Sequence, residues 1–192
     1  ADFLDFMDWS RENNLALLVS GLIYDFRHMR FGHTHSLLPY IDIKIEKKPA
    51  CMALKEDGKV CTNTAKHTQR LWSNDLMKNE GLSSYLHDST FNFVEKNKRR
   101  VIDRYVAAPF FDKTIRIEQA GNDQTDQEMV YIPVCTPCAK LPYKDEVFEV
   151  YDAIVRGDQT FGLLGQPELT TAVLDFLVEE GWVSNESGKY EA

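Results

Sequence analysis

The chain is defined first by what it lacks. No apolar run approaches the roughly 20 residues needed to cross a bilayer as a helix. There is no glycine-rich phosphate loop, no Gly-x-Ser-x-Gly nucleophile elbow and no His-Glu-x-x-His zinc-protease helix. Those absences remove the common signatures of nucleotide cradling, serine hydrolysis and zinc proteolysis. Cysteine is scarce, at four in 192 residues, too few for a disulfide-dense secreted scaffold. The opening Ala1-Asp2-Phe3-Leu4-Asp5 lacks the basic and apolar regions of a signal peptide. The one sequon, Asn185-Glu-Ser187, is short enough to arise by chance. The expectation is an intracellular protein of cytoplasm or nucleus. No internal repeat or low-complexity segment is present.

What is there belongs to a folded domain. Hydrophobic residues make up 43% and aromatics 11%, and the length suits one domain, or one with a small appendage. The net charge of −8 is unevenly placed. Residues 144–192 hold 11 acidic side chains against Lys144, Arg156 and Lys189, which leaves 19 of each sign in residues 1–143 from totals of 30 and 22. A segment at −8 is repelled by phosphate, so direct nucleic-acid binding by the C-terminal part is disfavoured.

The four cysteines form two clusters, Cys51/Cys61 and Cys135-Thr-Pro-Cys138, each following a stretch that reads as a strand. Zinc takes about four soft or borderline ligands in a tetrahedron, and Cys-x-x-Cys supplies two from one tight turn. Asp57-Gly58 reads as a turn that folds Cys61 back towards Cys51. The 73 residues between Cys61 and Cys135 then form a sub-domain whose ends the metal ties together. His67 is the alternative ligand, in a set of Cys61, His67, Cys135 and Cys138. A redox Cys-x-x-Cys normally opens a helix, whereas Ala139-Lys140-Leu141-Pro142 gives almost none. Disulfides need an oxidising compartment that nothing else supports, and unrelated buried thiols are the remaining reading. Four protein ligands close a site, so the expected cofactor is structural Zn²⁺.

Periodicity organises the rest. Residues 2–30 read as helical: Asp2, Asp5 and Asp8 suit a helix N-terminus, and Leu15, Leu18, Val19, Leu22, Ile23 and Phe26 recur at helical spacing, with Asn13-Asn14 as a break. Phe3, Phe6 and Trp9 read as core packing, with a partner-binding face as the alternative. Tyr40–Lys47 alternates Ile41, Ile43 and Ile45 with Asp42, Lys44 and Glu46, as a half-buried strand does. Helices are expected around 69–78 and 93–106. Lys113–Gln119 and Glu128–Val134 read as a long-looped hairpin that delivers Cys135.

From Pro142 the order is helix 145–156 closed by Gly157, a helix opened by Pro167 and ended by Gly181, then two short strands around Ser184–Gly188. Val147, Val150, Tyr151 and Ile154 face inward on the first helix, and Leu169, Val173, Leu174, Leu177 and Val178 on the second. In outline this stretch resembles a winged-helix domain. The run Cys51-x-Ala53…Gly58-x-x-Cys61-x-Asn63-x-Ala65 resembles the cysteine motifs of small zinc modules, including the strand-into-knuckle arrangement of replication protein A-like zinc folds. The expected architecture is α+β: an N-terminal helical segment and zinc-stapled, β-containing body over 1–141, then an acidic winged-helix-like module over 142–192.

Two further clusters carry candidate chemistry. His33-Thr34-His35 puts two imidazoles on one side of an extended chain, as several metal hydrolases do, with His67, His87 and Asp88 as scattered company. Lys96, Arg99, Arg100 and Arg104, with Lys98, form the densest basic group, beside Phe91 and Phe93. On a helix Lys96, Arg100 and Arg104 would align into a stripe able to track phosphates. A solvated helix face is the plainer account. The leading expectation is a non-enzymatic, zinc-stabilised regulatory or assembly protein that docks on a protein partner of transcription or replication machinery. A nucleic-acid-binding protein using the 96–104 stripe and a metal-dependent hydrolase or nuclease at His33/His35 are the alternatives.

Overall fold

A computed structural model describes residues 3–73, 90–95, 100–102, 105–112, 129–160 and 165–192; at 95, 100–102 and 129 it describes the backbone alone. Helices and small antiparallel sheets place the chain in the mixed α+β class. The chain forms two compact units, residues 1–25 with 29–44, and residues 26–28 with 45–192.

In the first unit, helix α1 spans Phe3–Glu12, with Asp5 in its first turn and Arg11 in its last, as the helix dipole favours. It ends in a Schellman motif. Asn14 takes a left-handed φ of 54°, its N–H bonds the Arg11 carbonyl at 3.0 Å, and the Leu15 N–H reaches back to Ser10 at 2.8 Å. Helix therefore stops at the expected break, but no helix resumes over residues 15–30. Leu15, Leu18, Val19 and Leu22 are exposed, Leu18 at 92%, so the expected buried face is corrected over 15–22, while Ile23 is half-buried and Phe26 buried. Among the described residues the leucine periodicity has no partner surface to make it helical, and short helices in water need one. A second helix, α2, covers only Thr34–Leu37, with a 3₁₀ turn at Leu38–Tyr40.

The strand expected over Tyr40–Lys47 is likewise absent. Those residues form no ladder, and Ile43 and Ile45 stand 81% and 82% exposed. Alternation marks a strand only where a neighbour supplies hydrogen bonds and a face to bury.

The second unit is built on a three-stranded antiparallel sheet. Strands β1 (His67–Ser73), β4 (Tyr105–Ala107) and β5 (Met129–Val134) lie in the order β4-β1-β5, with Leu71 opposite both Ala107 and Val130. Strands β2 (Phe93–Glu95) and β3 (Arg100–Ile102) form a separate hairpin. At the described residues 69–73, 93–95, 100–102 and 105–106, strands stand where helices were expected over 69–78 and 93–106; the rest of those ranges lies outside the described residues. Of the basic stripe, Arg100 sits in β3 rather than in a helix, while Lys96, Arg99 and Arg104 lie outside the described residues. So do His87, Asp88 and the strand expected at Lys113–Gln119.

Both faces of β1 are buried, which explains its unstrand-like sequence. On one face Leu71 packs with Tyr105, Ala107, Ile132, Val134, Phe91, Phe93 and three of the cysteines. On the other, Arg70 and Trp72 meet Asp112: the Arg70 Nε lies 3.1 Å from its carboxylate and the Trp72 indole N–H donates to it at 2.7 Å. The Arg70 guanidinium also lies over the rings of Phe26 and Tyr131. Buried charge persists here because it is paired.

Helices α3 (Lys144–Val155) and α4 (Pro167–Glu179) follow the sheet, with strands β6 (Ser184–Glu186) and β7 (Lys189–Glu191) closing a hairpin. Val147, Val150 and Ile154 are buried on α3, and Leu169, Val173, Leu174, Phe176 and Leu177 on α4; Val178, expected inside, is exposed. Gly157 and Gly181, at φ of 79° and 70°, end these helices with the same Schellman pattern as Asn14. Phe110 from the body packs against Phe148 and Phe176, and Trp182 completes the aromatic cluster with Phe148, Tyr151 and Phe176. The Gln159 side-chain amide bonds the Tyr190 N–H and carbonyl at 3.0 Å each, pinning β7.

Candidate metal centre

Residues 50–64 form an irregular hairpin, bridged at Ala50–Thr64 and Leu54–Val60. Its tip turns at Gly58, whose φ of +74° needs no Cβ penalty, with Gly58 N–H to Lys55 carbonyl and Lys55 N–H to Lys59 carbonyl, both 2.9 Å. Cys51 N–H bonds Asn63 and Cys61 N–H bonds Ala53, each at 2.8 Å, so the two cysteines sit on facing arms. The Met52 N–H bonds the Pro133 carbonyl at 3.0 Å and so fastens this hairpin to β5. β5 then runs into a 3₁₀ turn at Thr136–Cys138, in which Cys138 N–H returns to the Cys135 carbonyl at 3.0 Å.

The result is convergence of all four thiols. The sulfurs of Cys51, Cys61, Cys135 and Cys138 lie within 4.8 Å of one another, and all four cysteines are free. Cys61 and Cys135 are 3.7 Å apart at sulfur. Four sulfurs held about 2.3 Å from a central zinc in a tetrahedron would be about 3.8 Å apart. Three of the residues are buried and Cys138 is half-buried, at the edge of the apolar cluster around Leu71 and Val134. Such a group could hold a metal ion, and among the described residues it is the one cluster of three or more His, Cys, Asp or Glu ligands found.

Electrostatics agree with the geometry. Burial pushes the Cys51 thiol up, opposed by the backbone N–H groups of Cys135 and Ala53. Burial also raises Cys138, with the neighbouring sulfurs adding to it. For Cys135 burial acts upward too, but hydrogen bonds from the Cys138 and Cys61 thiols and the Cys138 N–H outweigh it and bring the group down to about 7. One thiolate thus forms readily at the expense of its neighbours. Four thiolates this close need a cation, since like charges 4 Å apart repel by about 4 kcal/mol at an effective dielectric of 20.

His67 is not in the group. Its Nε2 lies 2.9 Å from the Thr136 hydroxyl and its ring stacks on His28 at 3.7 Å, which props the Cys135–Cys138 turn from outside. Burial, with Lys66 nearby, holds its pKa below the ordinary value. The Asn63 amide reaches the Cys135 sulfur at 3.9 Å. Sequence reasoning missed these supporting roles of Asn63, Thr136 and His28; only the position of Asn63 two residues after Cys61 hinted at one. His33 occupies the N-cap position of α2 without a side-chain capping bond, and His35 lies inside the helix. At 3.6 residues per turn, positions two apart point to nearly opposite sides, so the shared face expected of an extended chain is not formed. No protein-family model, curated protein or solved structure matches the chain.

Proposed function

We propose that Cys51, Cys61, Cys135 and Cys138 hold one zinc ion in a closed structural centre, and that the protein is a non-enzymatic regulatory or assembly factor. The convergence of four thiols from segments 73 residues apart carries this reading. Zinc suits four thiolates, and a filled tetrahedron leaves no position for an activated water. Residues 142–192 serve as a winged-helix-like docking module. The carboxylates of Asp145, Glu149 and Asp152, exposed and at helical spacing along α3, offer an acidic face to a basic partner surface of the kind found in transcription and replication machinery.

Elemental analysis tests the centre: about one zinc per native chain, and none in a Cys135→Ser/Cys138→Ser variant. Iron, or zinc retained without these thiols, refutes it. Docking is tested by reversing Asp145, Glu149 and Asp152 to Lys rather than by deletion, because α3 and α4 cover Phe110. Affinity purification with the native chain should recover a partner that the reversed chain loses. Unchanged recovery, or salt-sensitive binding of duplex DNA by the native chain, counts against this role and favours the nucleic-acid alternative.

A further inference from the structure

We propose that α1 is a second docking element, an acidic aromatic helix that seats in an apolar groove with a Lys/Arg rim on a partner protein. Phe3, Phe6 and Trp9 recur every three residues and form a continuous ridge. Phe6 and Trp9 stack at 5.7 Å between ring centroids, and Phe3 and Phe6 lie 6.4 Å apart. The three side chains are 42%, 45% and 50% exposed, whereas Met7 and Ser10 are buried. Spacing of this kind is how an amphipathic helix reads a groove, and tryptophan is the commonest hot-spot residue at such contacts.

The helix is formed before it docks. Ten residues in isolation are marginal in water. Here the Ser10 hydroxyl bonds the Met7 carbonyl at 2.7 Å, the Asn13 amide bonds the Trp9 carbonyl at 2.8 Å, and the Schellman motif closes the end. Arg11 ties the helix to Tyr40 and Asp42. Most of the ordering cost of a docking peptide is thereby already met.

Charge selects the occupant. On α1 the acidic residues Asp5, Asp8 and Glu12 outnumber the one basic residue, Arg11, which is engaged with Asp8 and residues 40–42. Amphipathic helices that lie on membranes carry Lys and Arg to meet anionic lipid; this one carries the opposite sign. A second α1 laid against the first would set acid on acid. A groove with an apolar floor and a basic rim satisfies both features together.

The test uses the full chain with a photo-reactive benzoylphenylalanine in place of Phe6, irradiated in an extract of its source cells, with crosslinked sites mapped by mass spectrometry. Crosslinks should fall in an apolar, Lys/Arg-rimmed groove of another protein. Asp5→Lys/Asp8→Lys/Glu12→Lys should cut the yield about tenfold, and Phe3→Ala or Trp9→Ala should weaken calorimetric binding to the isolated groove domain about tenfold each. Crosslinks to the chain's own second unit, to a second copy or to lipid overturn the proposal. So does a yield indifferent to charge reversal, or no crosslink at all. Near-UV circular dichroism of each variant confirms that the fold is intact.

Discussion

Removing the proposed zinc should cost this protein a calculable part of its stability. The proposed zinc would tie Cys61 to Cys135 across 73 intervening residues. Treated as a cross-link of the unfolded chain, closure of such a loop is worth about 4.5 kcal/mol at 25 °C. The thiols left behind sit in the cluster around Leu71 and Val134 and stay buried when protonated, so the lost tie dominates over lost packing. For a chain of this size 1 kcal/mol moves the melting temperature by roughly 2–4 °C, which predicts a fall of about 10–20 °C on metal removal. The assay is differential scanning calorimetry of native and chelator-stripped protein. Reductant must be present, because Cys61 and Cys135 lie close enough to oxidise. Because the four ligands act as a unit, Cys135→Ser should fall as far as the stripped protein, and chelator should then do nothing more. Equal melting temperatures with and without metal would refute the reasoning. Four independent increments from four single substitutions would refute it equally.

Acid should release the metal, because protons compete for the thiolates: loading should decline from about pH 8 to about pH 5, read by a chromophoric chelator. In the metal-free chain Cys135 is held below its ordinary value, so the stability from its thiolate is full above that value and is lost as pH falls through about 7; urea midpoints across that range check the sign. Arg70→Leu should cost about 3–5 kcal/mol by leaving the Asp112 carboxylate buried without its cation, and Arg70→Leu/Asp112→Leu should recover part of it in chemical denaturation. Gly181→Ala should cost about 1–2 kcal/mol, since an L-residue must then hold the left-handed φ of 70°, and Asn14→Gly should be neutral or mildly stabilising by the same assay.

The parts of the fold that were legible are those whose signals are local. Pro167, Gly157 and Gly181 mark ends that any helix of this register would have, and the buried faces of α3 and α4 repeat at helical spacing. The cysteine pairing was legible because Asp57-Gly58 and Cys135-x-x-Cys138 are turns with their own geometry. What stayed hidden depends on tertiary partners. β1 reads as polar because Gln69 and Arg70 are buried in it, and they are tolerated only because the Lys140 N–H bonds the Gln69 amide oxygen at 2.8 Å and Asp112 answers Arg70. Conversely, among the described residues Ile43 and Ile45 alternate like a strand with no neighbouring strand to pair with, and Leu15–Leu22 repeat like a helix with no face to cover. Periodicity proposes a surface; only the rest of the chain supplies its complement.

The bond from the Met52 N–H to the Pro133 carbonyl has a meaning beyond anchoring the hairpin. It lies on the side of β5 away from β1, and the proline there offers no N–H of its own. An open strand edge is a template on which other chains can add. The cysteine hairpin thus acts as a selvedge, finishing the fabric of the sheet so that it does not run on into a neighbouring molecule. Loss of the proposed zinc would loosen that border, and the outcome to look for is association of chains that are still largely folded.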